Sequence, residues 1–181
     1  MALLELNHIS KFYSDGVTSS KGLDDVSLKF DAGEFVAITG ESGSGQTTLL
    51  NVMTLMDDYD SGTMLFEGKD SSEMNQKEIL ELRKNYISFV FQDYNLIQSL
   101  TAYQNILIAL RNKGYEEAEC KRRAKKALDD CKLSHRKNNK VVSLSGGERQ
   151  RVVIARALAL DSPIIAFDEP TGNLDSQTST E

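Results

Sequence analysis

The nine residues GESGSGQTT at positions 40–48 restrict the fold more than any other part of the chain. They follow an apolar run at 34–38 that predicts a buried strand, and they precede apolar residues at helical spacing in 49–53. A glycine-rich turn between a strand and a helix lets successive backbone N–H groups point at one anion. The segment therefore predicts a phosphate-binding loop, although a simple run of turn-forming residues has the same composition.

The spacing of this loop matches the pattern G-x-x-x-x-G-K-[ST] at every position except one. Gly40, Gly45 and Thr47 occupy their expected places, but Gln46 stands where the pattern has lysine. The backbone donors and a hydroxyl that can ligate Mg²⁺ are retained, whereas the positive charge on the β and γ phosphates is lost. A charge-assisted hydrogen bond contributes roughly 1.5 to 3 kcal/mol. We expect Gln46 to weaken nucleotide binding by on the order of 10- to 150-fold and to impair hydrolysis further.

Length and charge limit the classes of function. The 181 residues suffice for one domain with a core and an inserted subdomain. A formal charge of −6 argues against nonspecific binding to nucleic acid, because no excess of Lys and Arg is available to neutralise phosphates. No apolar run approaches the roughly 20 residues that span a bilayer, and the N terminus lacks the layout of a signal peptide. We therefore expect a cytoplasmic location.

The first third of the chain has mainly β-type patterns. Alternation of apolar and polar residues predicts strands at 2–14 and 26–39, with a turn-rich segment between them. Tyr13 closes the first strand, where its ring can either stack on a flat base or pack at a sheet edge. A short strand is expected at 63–66 and a polar helix at 72–84.

Helical patterns dominate the next part. A strand at 87–91 leads into Gln92, an amide that can bind a metal or a water but is a weak signal alone. The pattern T-x-x-Q at 101–104 predicts a capping box that opens one helix, and 115–133 predicts a second. The stretch 93–133 is therefore predicted to be a helical insertion.

A second capping pattern lies after this insertion. Ser145 and Glu148 have the spacing of a capping box, before a predicted helix at 152–160. Such a box can serve only to start a helix. Gly146 and Gly147 inside it, however, have no side chains. Another molecule can therefore approach the backbone N–H groups at the start of the helix.

The apolar run 164–167 predicts a buried strand that delivers Asp168 and Glu169 at its C-terminal end. In α/β sheets, ligands bind at that end of the strands. One carboxylate can hold the metal of a magnesium nucleotide and the other can accept a proton from an attacking water. Alternatively, the acidic pair can simply form the turn that follows the strand.

Taken in order, four motifs resemble the nucleotide-binding subunit of an ATP-binding cassette (ABC) transporter. They are the loop at 40–48, Gln92, LSGGE at 144–148, and IIAFDEP at 164–170 with Gly172-Asn173-Leu174-Asp175. The resemblance covers essentially the whole chain. The segments GEFVAITGESGSG, FVFQDYNLI and LTAYQNI are most similar to the lipoprotein-release, macrolide-export and antimicrobial-peptide-export ATPases.

The resemblance implies an α/β fold with a P-loop NTPase (RecA-like) core, an antiparallel β portion and an inserted helical subdomain. The core with its β portion would comprise 1–92 and 159–181, and the helical subdomain 93–158. Family members continue through a further strand to a switch histidine. The chain is therefore expected to be C-terminally truncated, with a gap in its central sheet.

The resemblance also implies which residues bind ATP and Mg²⁺. Tyr13 would stack on adenine. The phosphates would lie on Gly40, Ser42, Gly43, Ser44, Gly45, Gln46, Thr47 and Thr48. Thr47, Gln92 and Asp168 would bind or sense the metal, and Glu169 would be the general base, with Gln92 sensing the attacking water.

Further residues would contact a partner. Ser145, Gly146 and Gly147 would touch the ATP held by a second nucleotide-binding subunit, in a head-to-tail homodimer, and Asp175 would join the two sites. The helical insertion would receive a membrane permease, which places the chain on the inner face of the cell membrane. The implied function is an ATPase that energises export or extraction of a substrate. Gln46 and the missing histidine leave open a hydrolysis-deficient, nucleotide-dependent binding or regulatory module.

Overall fold

The computed structural model describes residues 2–14 and 16–170, and the chain separates into two compact units. Unit 1 is Met1–Arg83 and unit 2 is Lys84–Glu181. The domain limits expected from the sequence, at 92/93 and 158/159, stay a prediction. Within the described ranges, no helix combines the length and the apolar character that crossing a membrane requires.

Unit 1 is built on a four-stranded antiparallel sheet. Its strands are β1 (Leu4–Ser14), β2 (Ser19–Phe30), β3 (Ser61–Phe66) and β4 (Lys69–Asp70), in the order β2-β1-β3-β4. Helix α1 (Gln46–Met53) and a short 3-10 turn at 71–73 belong to the same unit, and helix α2 (Gln76–Tyr86) crosses the boundary. β1 pairs on both sides, with Leu4 opposite Phe30 of β2 and Phe66 of β3.

An irregularity in β1 sets which side chains are buried. Strict alternation from Leu4 and Leu6 would bury His8. Instead the register shifts between Leu6 and Ile9, His8 takes a left-handed φ of 55°, and Ile9 is fully buried. A bulge of this kind inserts one residue and moves the next side chain to the opposite face. The apolar face of β1 therefore continues past a histidine.

The predicted strand at 34–38 is wrong. Residues 31–40 form no strand, and the Phe35 side chain is 96% exposed. An extended segment becomes a strand only where a neighbouring strand pairs with it, and none of the described strands pairs with this one. The second strand of the chain also begins earlier than predicted, because Ser14 and Tyr13 pair with Ser19 and Ser20.

Unit 2 contains three main helices and two parallel strands. The helices are α3 (Ala102–Lys113), α4 (Glu117–Asp130) and α5 (Gly146–Leu160), with 3-10 turns at 134–136 and 141–143, and the strands are β5 (Ile87–Val90) and β6 (Ile164–Phe167). The predicted capping box of α3 is confirmed, since Thr101 Oγ1 accepts from Gln104 N and Gln104 Oε1 accepts from Thr101 N. Gly114, with φ 100°, ends this helix.

The core of unit 2 lies among the three helices. Each contributes one apolar face with buried residues three or four positions apart, as helical periodicity requires. The buried residues are Ala102, Ile106, Leu107 and Leu110 of α3, Cys120, Ala124, Ala127 and Leu128 of α4, and Val152, Val153, Ala155, Ala157 and Ala159 of α5. In β6, by contrast, only Ala166 is buried and its neighbours are half-buried.

Two phenylalanines of unit 1 give a matched test of this fold. Phe35 is 96% exposed and Phe66 is 3% exposed. We expect Phe35→Ser to change the free energy of unfolding by less than about 0.5 kcal/mol. Phe66→Ser should cost about 3 to 5 kcal/mol, since it removes a ring from the core. Urea denaturation of the two variants and the unmodified chain measures both values, and equal losses would contradict the exposed position of Phe35.

Candidate functional site

The loop at 40–48 has the backbone that a phosphate cradle requires. Gly43 has φ 82° and Gly45 has φ 91°, in the left-handed region that favours glycine. A Cβ on Gly45 would lie 2.3 Å from Gly22 O, and a Cβ on Gly40 would lie 2.3 Å from Ser44 Oγ. The close curl of this loop therefore depends on its glycines.

Helix α1 begins directly after this curl. Its first hydrogen bond runs from Leu49 N to Gly45 O at 2.8 Å, and no side chain caps its N terminus. The first N–H groups of a helix have no partner within the helix, and the positive end of the helix dipole lies there. The loop and the start of α1 thus fit a phosphate chain, which would accept hydrogen bonds from these N–H groups.

Gln46 is the first residue of α1 and is half-buried. Its Nε2 donates to Ile38 O at 3.2 Å, on the segment that enters the loop. The side chain therefore lies across the loop as a neutral donor. A lysine at this position would bring a positive charge to the same place.

Tyr13 lies at the end of β1 with 39% of its surface exposed. Its hydroxyl donates to Asp57 Oδ2 at 2.7 Å, while Lys11 Nζ lies 3.1 Å from Asp57 Oδ1. The hydrogen bond from Tyr13 holds the pKa of Asp57 below its usual range, and burial raises the pKa of Tyr13. One edge of the ring lies against Gly22, where an added Cβ would be 2.7 Å from Tyr13 Cε2. Asp57 thus fixes the direction of the ring, a role that no pattern in the sequence indicates.

The polar ends of two parallel strands meet in unit 2. Val90 at the end of β5 lies opposite Phe167 at the end of β6, and Asp168 N donates to Val90 O at 3.0 Å. Gln92 and Glu169 follow these strands, and Gln92 Nε2 donates to Glu169 Oε2 at 2.9 Å. The structure therefore brings together two of the predicted site residues. Their amide and carboxylate oxygens, with that of Asp168, are the hard ligands that Mg²⁺ accepts.

The N terminus of α5 forms the predicted capping box. Ser145 Oγ accepts from Glu148 N at 3.2 Å, and Glu148 Oε2 accepts from Ser145 N at 2.9 Å. Arg136 Nε donates to Glu148 Oε1 at 2.7 Å. The backbone hydrogen bond from Ser145, with help from Arg136, holds the pKa of Glu148 below its ordinary value.

Arg136 was not among the predicted residues. It lies in a polar turn 12 positions before Glu148, and no periodic pattern links the two. Gly146 and Gly147 form the half-exposed first turn of α5. The capping box starts α5, which is the role expected if the motif served only to begin a helix. It also leaves Gly146 and Gly147 half-exposed. Asp175 lies outside the described residues.

A family model, curated relatives and a solved structure all match this chain, and all belong to one family. The family model for ABC transporters matches residues 23–172. An uncharacterized ABC transporter ATP-binding protein of Thermotoga maritima is 42% identical over 99% of this chain and 76% of that protein. The macrolide export ATP-binding/permease protein MacB of Neisseria gonorrhoeae is 41% identical over 97% of this chain, which spans only 27% of that protein.

A solved structure is similar as well. The dimeric post-hydrolysis state of the ATP-binding cassette MJ0796, bound to ADP and Pi, has a TM-score of 0.88 and 38% identity, over 98% of this chain and 78% of that one. The predicted fold class is therefore confirmed. The chain belongs to the ABC transporter family, and it is an ATP-binding subunit of that family.

The lowered pKa of Glu148 predicts a pH-dependent contribution to stability. A group whose pKa is depressed in the folded state stabilises it above its unfolded pKa, and this contribution is lost as pH falls through the folded pKa. We expect Glu148→Gln to lower the free energy of unfolding by about 1 kcal/mol near pH 7 and by much less at about pH 3. Urea denaturation at a series of pH values measures the difference.

The control for this experiment is Glu116→Gln. Glu116 is exposed at the start of α4, and its side chain makes no capping hydrogen bond. This variant removes the same charge without removing a paired carboxylate. If Glu148→Gln lowers the free energy of unfolding equally at pH 3 and at pH 7, the charge of Glu148 does not contribute to stability and the prediction is wrong.

Proposed function

We propose that this chain binds and hydrolyses Mg-ATP and thereby energises the movement of a substrate through a membrane permease. The MacB relatives are named as macrolide export ATP-binding/permease proteins, which supports export or extraction as the process. The dimeric form of the MJ0796 cassette supports a dimer of nucleotide-binding subunits. The chain would lie on the inner face of the cell membrane, attached through its permease.

The observation that carries the proposal is the 2.9 Å hydrogen bond between Gln92 Nε2 and Glu169 Oε2. Glu169 acts as the general base, because a carboxylate at a strand end can accept a proton from an attacking water. Gln92 holds this carboxylate and can offer its amide oxygen to a metal ion or to the same water. A carboxylate oxygen of Asp168 would be a further metal ligand, and the hydroxyl of Thr47 is the ligand that we propose from the phosphate-binding loop. When bound, Mg²⁺ neutralises charge on the phosphate oxygens.

Other residues bind the nucleotide. The loop from Gly40 to Thr48 holds the phosphates with its backbone N–H groups, and Tyr13 stacks on the adenine. Ser145, Gly146 and Gly147 at the start of α5 contact the nucleotide held by the second subunit. The hydroxyl of Ser145 both accepts the capping hydrogen bond and can donate its own proton to a phosphate oxygen.

We infer that hydrolysis is slow in this chain because Gln46 replaces lysine. The Gln46 amide already donates to Ile38 O at 3.2 Å, and it carries no charge with which to stabilise the phosphates. Loss of a charge-assisted hydrogen bond weakens binding and, more strongly, the transition state. The chain would then bind ATP with measurable affinity but turn it over slowly.

Calorimetric titration with Mg-ATP tests this proposal. We expect Gln46→Lys to bind ATP roughly 10- to 150-fold more tightly than the original chain, since a charge-assisted bond is gained. The control is Gln76→Lys, which adds the same charge at an exposed position at the start of α2. It should leave the affinity unchanged.

The same titration can overturn the proposal. If neither the original chain nor Gln46→Lys binds Mg-ATP, the chain alone does not form a nucleotide site. If both bind equally, the charge at position 46 is irrelevant. If both bind and neither hydrolyses ATP, the chain is a nucleotide-dependent binding module.

A second experiment tests the stacking role of Tyr13. We expect Tyr13→Ala to weaken ATP binding by roughly 5- to 150-fold, because stacking of a base on an aromatic ring contributes about 1 to 3 kcal/mol. Inorganic tripolyphosphate has no base, so its affinity should not change. Tyr13→Phe keeps the ring and is the matched control. If Tyr13→Ala loses affinity for ATP and for tripolyphosphate equally, Tyr13 does not stack on the base and instead supports the structure of the phosphate-binding loop.

A further inference from the structure

Arg156 lies in the middle of α5, among buried valine and alanine residues. It is half-buried, and its guanidinium reaches the loop that follows Gln92. Nη1 donates to Asn95 O at 2.7 Å and Nη2 donates to Tyr94 O at 3.2 Å. One side chain of α5 thus binds two successive carbonyl groups of this loop.

The backbone of the loop explains why such a bond is needed. Tyr94 has φ 63° and Asn95 has φ 46°, so two consecutive residues with side chains adopt the left-handed conformation. This conformation is unfavourable for L-residues and persists only where the surroundings hold it. The planar guanidinium of arginine is suited to bind two neighbouring acceptors at once. Arg156 therefore supplies contacts that keep the strained turn in place.

The far side of the same loop is also held. Asn105 of α3 is only 4% exposed. Its Oδ1 accepts from Ile97 N at 2.8 Å, and its Nδ2 donates to Ile97 O at 3.1 Å. Arg156 and Asn105 together fix residues 94–97 between α5 and α3.

The strained turn begins directly after Gln92. Tyr94 N donates to Phe91 O at 3.2 Å, and Asn95 N donates to Asp93 O at 2.7 Å. These bonds leave little freedom for the backbone of residue 92. We propose that Arg156 is a positioning residue which, by holding the carbonyls of Tyr94 and Asn95, keeps the Gln92 amide against Glu169. The inference rests on the proposed function for the catalytic meaning of that contact.

The side-chain amide of Gln92 can be observed directly by NMR in the full chain. Its two proton signals are assigned by their loss in Gln92→Met, and Glu169→Ala shows where they lie when the hydrogen bond is absent. We expect Arg156→Met to move the Gln92 signals toward the Glu169→Ala positions. Amide hydrogen exchange at 94–97 should become at least about tenfold faster in the same variant, because the turn loses its contacts.

Two further variants complete the experiment. Arg156→Lys keeps the positive charge but offers one nitrogen where arginine offers two, and it lacks the planar fork that matches the two carbonyls, so the Gln92 signals should move part of the way. This variant decides the question if Arg156→Met does not fold. Arg111→Met is the matched control, since Arg111 forms an exposed pair with Glu117 in the same unit and does not bind the loop. Its Gln92 signals should not move.

The outcomes separate this inference from the proposed function. Unchanged Gln92 signals in Arg156→Met or in Arg156→Lys would overturn it. If ATP turnover is measurable, a lower kcat with an unchanged KM in Arg156→Lys supports it, and an unchanged kcat overturns it. If no turnover is detected even in the original chain, the proposed hydrolysis fails, and the NMR signals alone decide the role of Arg156.

Discussion

The packing of α5 is the constraint on which unit 2 depends. Both α3 and α4 pack on this helix, and its buried residues are valines and alanines with one glutamine, Gln150. Small side chains let neighbouring helices approach closely, because the distance between helix axes depends on the residues at the contact. A larger residue in this face would separate the helices that hold the loop after Gln92. The position of the polar strand ends is therefore tied to the packing of one apolar helix face.

Polar contacts satisfy both ends of α5. At its C terminus, Lys113 Nζ donates to Leu160 O at 2.7 Å and the Tyr115 hydroxyl donates to the same oxygen at 3.2 Å. Burial lowers the pKa of Lys113 in this position. At its N terminus, Ser145 and Glu148 form the capping box. The orphan backbone groups of a helix end cost free energy unless they are bound, so these contacts let α5 carry Gly146 and Gly147 on a stable helix.

The sequence predicted correctly those features that depend on residues close together in the chain. The capping boxes at 101–104 and 145–148 were both predicted and both formed, since each depends on residues three positions apart. The strands that end before Gln92 and Asp168 were also predicted from their apolar runs, but the parallel pairing that brings Gln92 to Glu169 was not. The strand at 34–38 failed for the opposite reason, because an apolar pattern does not supply the neighbour with which a strand must pair. The bulge at His8 likewise depends on pairing with β2 and β3.

The sequence by itself determined the family, the glycine-rich loop at 40–48 with its glutamine, and the polar residues that follow β5 and β6. These features are carried by residue type and spacing, which do not change on folding. Only the tertiary structure decided that Asp57 directs Tyr13, that Arg136 neutralises Glu148, and that Arg156 binds the loop after Gln92. Each of these contacts joins residues at least 12 positions apart. Such contacts have no periodic signal in the sequence, because they arise only when separate elements pack together.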